Sequence, residues 1–544
     1  MKIKFLSLMC LLLSGTFVFA QSSAPDNWFN LDASSDKVSS VSVERTYKEL
    51  LKGRTSSTVV VAVIDSGVDY KHEDLKDVMW VNPGEIAGNG IDDDKNGYID
   101  DIHGWNFIGG KNGKNIDADA LEITRLTAMY HKKYKDVDRN SLSKKEKKAY
   151  DKYINMKKEI DDKQAKLAEQ SAIWFMLDEQ VPAIMKLAGK DNPTNEEIKA
   201  IETDDEAVTE AIGLLDKIFF ARGGTMEDAT GQIKGAKDYF GNQIDKWYNI
   251  DFDPRARIVG DNYTDSNQRI YGNNDVKGPD SSHGTHVAGI IGAVRDNDLG
   301  IKGVADNVRI MSIRTVPDGD ERDKDVANAI FYAVDNGASI INMSFGKGYS
   351  YDKAIVDKAV KYAKKNDVLL IHAAGNDASN NDNTNNFPND KYAKKGWFKP
   401  KTAKNWLEIG ALSWKGGEDA VATFSNYGKA NVDIFAPGHD IMSTTPEQNY
   451  AAYSGTSMAA PVAAGVAAML RSYYPSLTAC QVKDIIMESA TPQTQKVKMP
   501  GSEDLVSFSE LSKTGGVVNA YKAVQLANKT KGKKKIKKMK VVTP

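Results

Sequence analysis

The run Val59-Val-Val-Ala-Val-Ile64 stops abruptly at Asp65-Ser-Gly-Val-Asp69. An unbroken β-branched run without polar alternation is what a strand buried on both faces requires. Similar runs recur at Val308-Arg-Ile-Met-Ser-Ile313, Ser339-Ile-Ile-Asn-Met-Ser344, Val368-Leu-Leu-Ile-His372 and Trp406-Leu-Glu-Ile-Gly410. Helical patterns lie between them at Asp325 to Asn336 and Asp352 to Lys365. Strand–helix alternation predicts an α/β protein, with a mainly parallel sheet and helices on both faces. Asp65 then stands at the carboxyl end of a buried strand, where such sheets place their sites. Taken alone, it equally fits an aspartate in a turn.

Composition adds bounds. The chain has 544 residues, 41% hydrophobic and 27% charged, with a formal net charge of −2. Nothing in that balance suggests a nucleic-acid partner. Lys2 and Lys4, the apolar Phe5 to Leu13, and Val18-Phe19-Ala20 before Gln21 read as a signal peptide over 1–20. The protein is therefore expected to be secreted or held in the cell envelope, with no transmembrane span after signal removal. Of the two cysteines, Cys10 lies in that segment, and Cys480 alone allows no internal disulfide. Cys480 is expected to be a small core residue on a helix.

Residues 116–250 change character. They are charged and helical in pattern, with capping-box starts at Ser143-Lys-Lys-Glu146, Thr194-Asn-Glu-Glu197 and Thr225-Met-Glu-Asp228. This is read as a helical insertion, either a solvated decoration or a lid, an inhibitory arm or a dimer contact. Residues 21–57 form a polar N-terminal segment with a short helix at Val43 to Leu51. A capped helix begins at Thr478, and another runs from about Asn519 to Ala527. Residues 529–544 are a Lys-rich tail, expected to be solvated.

Three further stretches carry chemistry. Asp280-Ser-Ser-His-Gly-Thr-His286 opens a helix at His283. Tyr453-Ser-Gly-Thr-Ser-Met-Ala-Ala-Pro461 precedes an Ala-rich apolar run to Leu470, too short to span a bilayer and read as a buried helix. Ser457 falls in its first turn, where free N–H groups and the helix dipole favour negative charge. An ordinary N-cap serine would sit there too. In Asn89-Gly-Ile-Asp-Asp-Asp-Lys-Asn-Gly-Tyr-Ile-Asp-Asp101, the oxygens of Asp92, Asp94 and Asn96 alternate, Gly97 follows, and Asp100 comes after. That is how a calcium loop begins, although His103 stands where a bidentate Glu is expected. A solvated acidic turn is the alternative.

Val63-Ile-Asp-Ser-Gly-Val68, His283-Gly-Thr-His-Val-Ala-Gly289, Ala373-Ala-Gly-Asn376 and Gly455-Thr-Ser-Met-Ala-Ala-Pro461 together resemble the subtilisin-like (subtilase) serine proteases. The chain order Asp, His, Ser is one of the known orders of the triad. The resemblance implies a subtilisin-like doubly wound sheet over 58–115 and 251–528, and a secreted endopeptidase acting on protein or peptide substrates. It implies Ser457 as nucleophile, His283 as general base, Asp65 as the residue that orients the imidazole, and Asn376 as oxyanion donor. His286 is expected to pack. Ser344, Phe345 and Gly346 match the substrate-aligning edge, and Ala373, Ala374 and Gly375 one wall of the first specificity pocket. Asp74, in His72-Glu-Asp-Leu75, matches a position that can bind calcium as a structural ion.

The chain departs from the family in its insertion. Residues 21–57 are also short for an inhibitory propeptide, so folding without one is expected. Two other functions compete: a non-catalytic scaffold using the cleft, and a processing protease whose insertion selects one partner. Substrate preference and oligomeric state are not legible.

Overall fold

The computed structural model describes residues 23–393 and 400–534. The expected signal peptide and the end of the Lys-rich tail lie outside the described residues. The core is a parallel sheet of β1 (Val59–Asp65), β2 (Gly104–Asn106), β3 (Val308–Arg314), β4 (Ile340–Met343), β5 (Leu369–Ala373), β6 (Trp406–Leu412) and β7 (Ile434–Pro437). Its spatial order is β7-β6-β5-β4-β1-β3-β2, every pair parallel. Beyond β7 it is extended by Gly516–Val517 and, antiparallel at the edge, Thr491–Pro492.

Side chains of β1 alternate between two apolar layers. Val61 and Val63 pack with the helices Ser282–Gly292 and Thr456–Tyr473. Ala62 and Ile64 pack on the opposite face with the helices Asp323–Asp335 and Lys353–Lys365. Both faces are covered, which is why the sequence shows unbroken apolar runs rather than alternation. β1 lies between β3 and β4, so the chain winds outward from it in both directions. Its carboxyl end is the switch point where an open α/β sheet leaves a crevice.

Two features differ from the sequence expectation. The segment before β1 is not merely a polar lead. Trp28, Phe29, Val41 and Val43 are buried in the main core, and Ala520 N donates to Val41 O at 2.8 Å. Widely spaced apolar residues in a polar stretch give no periodic signal, so the docking was invisible. The short strands β2 and β7 and the hairpin Ile441–Thr445/Asn449–Tyr453 were also missed, being too short or too polar to stand out.

The insertion is helical throughout: Glu122–Tyr134, a long helix Lys144–Ala188, then Asn195–Lys199, Glu206–Ile218 and Met226–Asn242. All three expected capping boxes form, at Ser143, Thr194 and Thr225. The insertion has its own small core, including Leu177, Ile184, Val208, Leu215 and Ile233. Its entry runs beside the main domain, with Ala118 bridged in parallel to Asp318. No described helix is long and apolar enough to cross a membrane. Cys480 is half-buried on the helix Ala479–Glu488.

Candidate active site

β1 delivers Asp65, 1% exposed, to the crevice. Its Oδ1 accepts from its neighbour Ser66 N at 2.7 Å and lies 2.7 Å from His283 Nδ1. His283 is the second residue of the helix Ser282–Gly292, so its ring leaves the first turn toward the strand end while its side chain stays 39% exposed. Burial opposes the imidazolium, but the charges of Asp65 and Asp280 outweigh it and hold the His283 pKa above its ordinary value. His286 faces the other way. It is fully buried, its Nε2 lies 3.0 Å from Ala451 O, and its ring stacks on Tyr453 at 4.3 Å. Burial pushes its pKa down to about 3, so it packs as a neutral ring.

Ser457 is in the first turn of Thr456–Tyr473. Pro461 lies four residues on and lacks the N–H that would bond the Ser457 carbonyl. The Ser344 hydroxyl takes that place, donating to Ser457 O at 2.8 Å. In return Ser457 Oγ donates to Ser344 O at 3.1 Å. A cleft of about 270 Å³, lined by Ser66, Asp117, Asp280, His283, Arg314 and Ser344 among others, opens beside this pair.

Asn376 follows β5. Its Oδ1 accepts from Thr456 N at 2.8 Å and from Thr456 Oγ1 at 3.0 Å, which fixes the amide and turns Nδ2 outward. A β-carbon built on Gly455 would lie 3.4 Å from Asn376 Nδ2, 3.5 Å from Ser457 N and 3.7 Å from Ser457 Cβ. Two N–H donors and the Ser457 side chain therefore surround one small space, kept open because residue 455 is glycine. The Thr456 hydroxyl also donates to Asn376 while accepting from Gly375 N at 3.0 Å. Its role in holding this loop was not legible in the sequence.

The remaining expected residues fall in two groups. Ser344, Phe345 and Gly346 continue from β4, and Ala373 ends β5 with Ala374 and Gly375 following, so neighbouring parallel strands bring the edge and the wall together. Asn386 spans the space between them: Nδ2 donates to Ala373 O and Ala374 O, while Oδ1 lies 2.2 Å from where a Gly346 β-carbon would stand.

The calcium set does not assemble as expected. Asp92 and Asp94 converge instead with Glu85, one oxygen of each lying within 4.8 Å of the others. The Asp100 carboxylate turns away to accept from Gly88 N at 2.8 Å and Gly90 N at 2.9 Å. Asn96 Oδ1 accepts from Tyr98 N, and its Nδ2 donates to Asp94 and Asp101. The loop is closed by its own backbone N–H groups, and the third carboxylate comes from upstream. Asp74 belongs to a different place. It is fully buried, accepts from Asn297 Nδ2 at 2.7 Å, and burial pushes its carboxyl above the ordinary value.

A doubly wound parallel sheet with a bonded Asp65–His283 pair at a strand end, and Ser457 at the start of another helix, has the layout of a serine peptidase. A model of the subtilase family matches residues 56–510, and the chain belongs to that family. It is 40% identical over 193 residues to a thermophilic serine proteinase of Bacillus sp. (strain AK1), covering 35% of this chain and 43% of that one. It is 34% identical over 286 residues to a cell wall-associated protease of Bacillus subtilis (strain 168), covering 50% of this chain and 30% of that one. A solved structure of the prenylagaramide maturation protease PagA aligns at 29% identity over 46% of this chain and 83% of that one, with a TM-score of 0.36. The chain thus spans less than half the length of either of these curated relatives.

Proposed function

We propose that this chain is an exported serine endopeptidase that hydrolyses peptide bonds of proteins through an acyl-enzyme. Ser457 Oγ attacks the scissile carbonyl, and His283 Nε2 takes its proton and returns it to the leaving amine. Asp65, bonded to Nδ1, holds the tautomer and stabilises the imidazolium. The developing oxyanion takes the space between Asn376 Nδ2 and Ser457 N. To attack, Ser457 Oγ gives up its bond to Ser344 O and donates to His283 Nε2 instead. The observation that carries this reading is the convergence of the two donors beside Ser457. Ser457→Ala is expected to abolish turnover of an unfolded protein while leaving the circular dichroism spectrum unchanged. Retained turnover contradicts the assignment. Membership of the subtilase family and the apolar N-terminus support export.

Calcium is proposed as a structural ion. Glu85, Asp92 and Asp94 bring three carboxylates together with no ion-pair partner among the described residues. Asp74 is a buried carboxylate that accepts from Asn297 Nδ2 and Ile301 N and has no ion-pair partner among the described residues. Both sets offer oxygen donors suited to a hard cation, which would supply the missing countercharge.

A further inference from the structure

We propose that the cleft holds about three residues on the acyl side of the scissile bond and is closed to a fourth, because Lys347 ties its two edges together there. This rests on the protease reading above.

One edge is Ser344 to Lys347, continuing β4; the other is Val316 to Asp323, after β3. Lys347 exchanges both backbone bonds with Phe387, N to O at 2.9 Å and O from N at 2.8 Å. Along an extended edge, backbone groups alternate in direction, so those of Gly346 and Ser344 turn into the cleft. A peptide between the edges can bond there as an added strand. Ser344 marks the reacting end, since it shares bonds with Ser457 in both directions. From Ser344 to Lys347 an extended chain rises about 10 Å, the length of about three residues.

There the Lys347 side chain, wholly buried, reaches the opposite edge. Nζ donates to Glu321 O at 2.6 Å and lies 2.9 Å from Asp323 Oδ1 and 3.3 Å from Glu122 Oε2. Glu122 comes from the insertion, and so does Arg125, which pairs with it. Arg125 donates to Asp320 O at 2.9 Å and to Glu321 O at 3.1 Å. The Glu321 carbonyl thus has two donors for its two lone pairs and nothing left for a substrate N–H. Displacing either cation would leave buried carboxylates unpaired, a heavy cost.

The insertion is fixed against the back of this edge. Asp119 N donates to Asp318 O at 3.0 Å, and Asp318 N to Asp117 O at 2.8 Å. Arg322 grips the Asp119 carboxylate at 2.7 and 3.0 Å. Gly319 has φ +131°, and a β-carbon there would lie 2.1 Å from Asp119 O, so only glycine admits so close an approach. The insertion therefore shapes the end of the cleft as a wall. Favoured substrates are short or unfolded segments recognised over about three acyl-side residues, with any further chain bent out to solvent.

The test is a nested series of acetylated peptides with one to five residues before a fluorogenic leaving group, sharing the residues nearest that group. For the intact protein, kcat/KM is expected to climb up to three residues and then stay level within about twofold. A further rise of about tenfold with four or five residues would overturn the proposal. In Lys347→Met, the ratio of the four-residue to the three-residue substrate is expected to rise above that of the unaltered protein. An unchanged ratio in a folded variant would overturn the proposal, since Lys347 is its cause. Should that variant fail to fold, the series on the unaltered protein still decides. If no peptide is cleaved and a fluorophosphonate leaves Ser457 unlabelled, the protease reading itself fails. Labelling with continued gain from longer peptides sinks only the three-residue limit.

Discussion

At the level of single residues, the site balances burial against charge. His283 stands half in solvent, and the carboxylate of Asp65 at 2.7 Å favours its protonated form more than burial opposes it. Only the neutral imidazole can accept the Ser457 proton, so activity is lost as pH falls through the His283 pKa. With that pKa raised, the acid limb of kcat/KM is expected above the ordinary imidazole value of about 6.5. A limb at or below that value would contradict the pairing. Asn376 is tied by Oδ1 to Thr456 and leaves Nδ2 free to donate. Asn376→Ala is expected to lower kcat by about 10²–10³ with little change in KM, a figure carried over from the equivalent loss in a subtilisin. These two residues were readable in the chain because each stands in a short contiguous motif. Glu85, Asn386 and Lys347 were not, since each meets its partners only after distant segments fold together.

At the level of elements, local bonds explain what was legible. The helix Lys144–Ala188 starts with a reciprocal box, Glu146 N donating to Ser143 Oγ while the Glu146 carboxylate accepts from Ser143 N. Partners three residues apart announce themselves in the sequence. Ser143→Ala is expected to speed amide hydrogen exchange in the first turn of this helix by about fivefold, with turnover unchanged. Exchange that does not move would show that tertiary contacts, not the cap, hold this helix start. What stayed hidden was direction: helical periodicity shows that the insertion forms helices but not that Glu122 and Arg125 face the cleft edge. Likewise Trp28 and Phe29 carry no pattern, yet they fill the main core.

At the level of the whole molecule, one parallel sheet gathers residues from β1, β4, β5 and two helix starts, while the insertion buttresses one edge of the resulting cleft. An ion at either proposed site would tie its loop to this frame. Calcium is expected to lengthen the half-life of activity at elevated temperature by about tenfold or more over a chelated sample. Asp74→Asn should remove most of that gain, and equal half-lives with and without calcium would reject the ion. The central claim is that His283, oriented by Asp65, activates Ser457 as the nucleophile, with Asn376 beside it to receive the oxyanion. Its most direct test is active-site titration of the intact chain with a fluorophosphonate, followed by mapping of the labelled peptide. The expected result is a single label on Ser457, lost in His283→Ala. Labelling elsewhere, or equal labelling without His283, would contradict it.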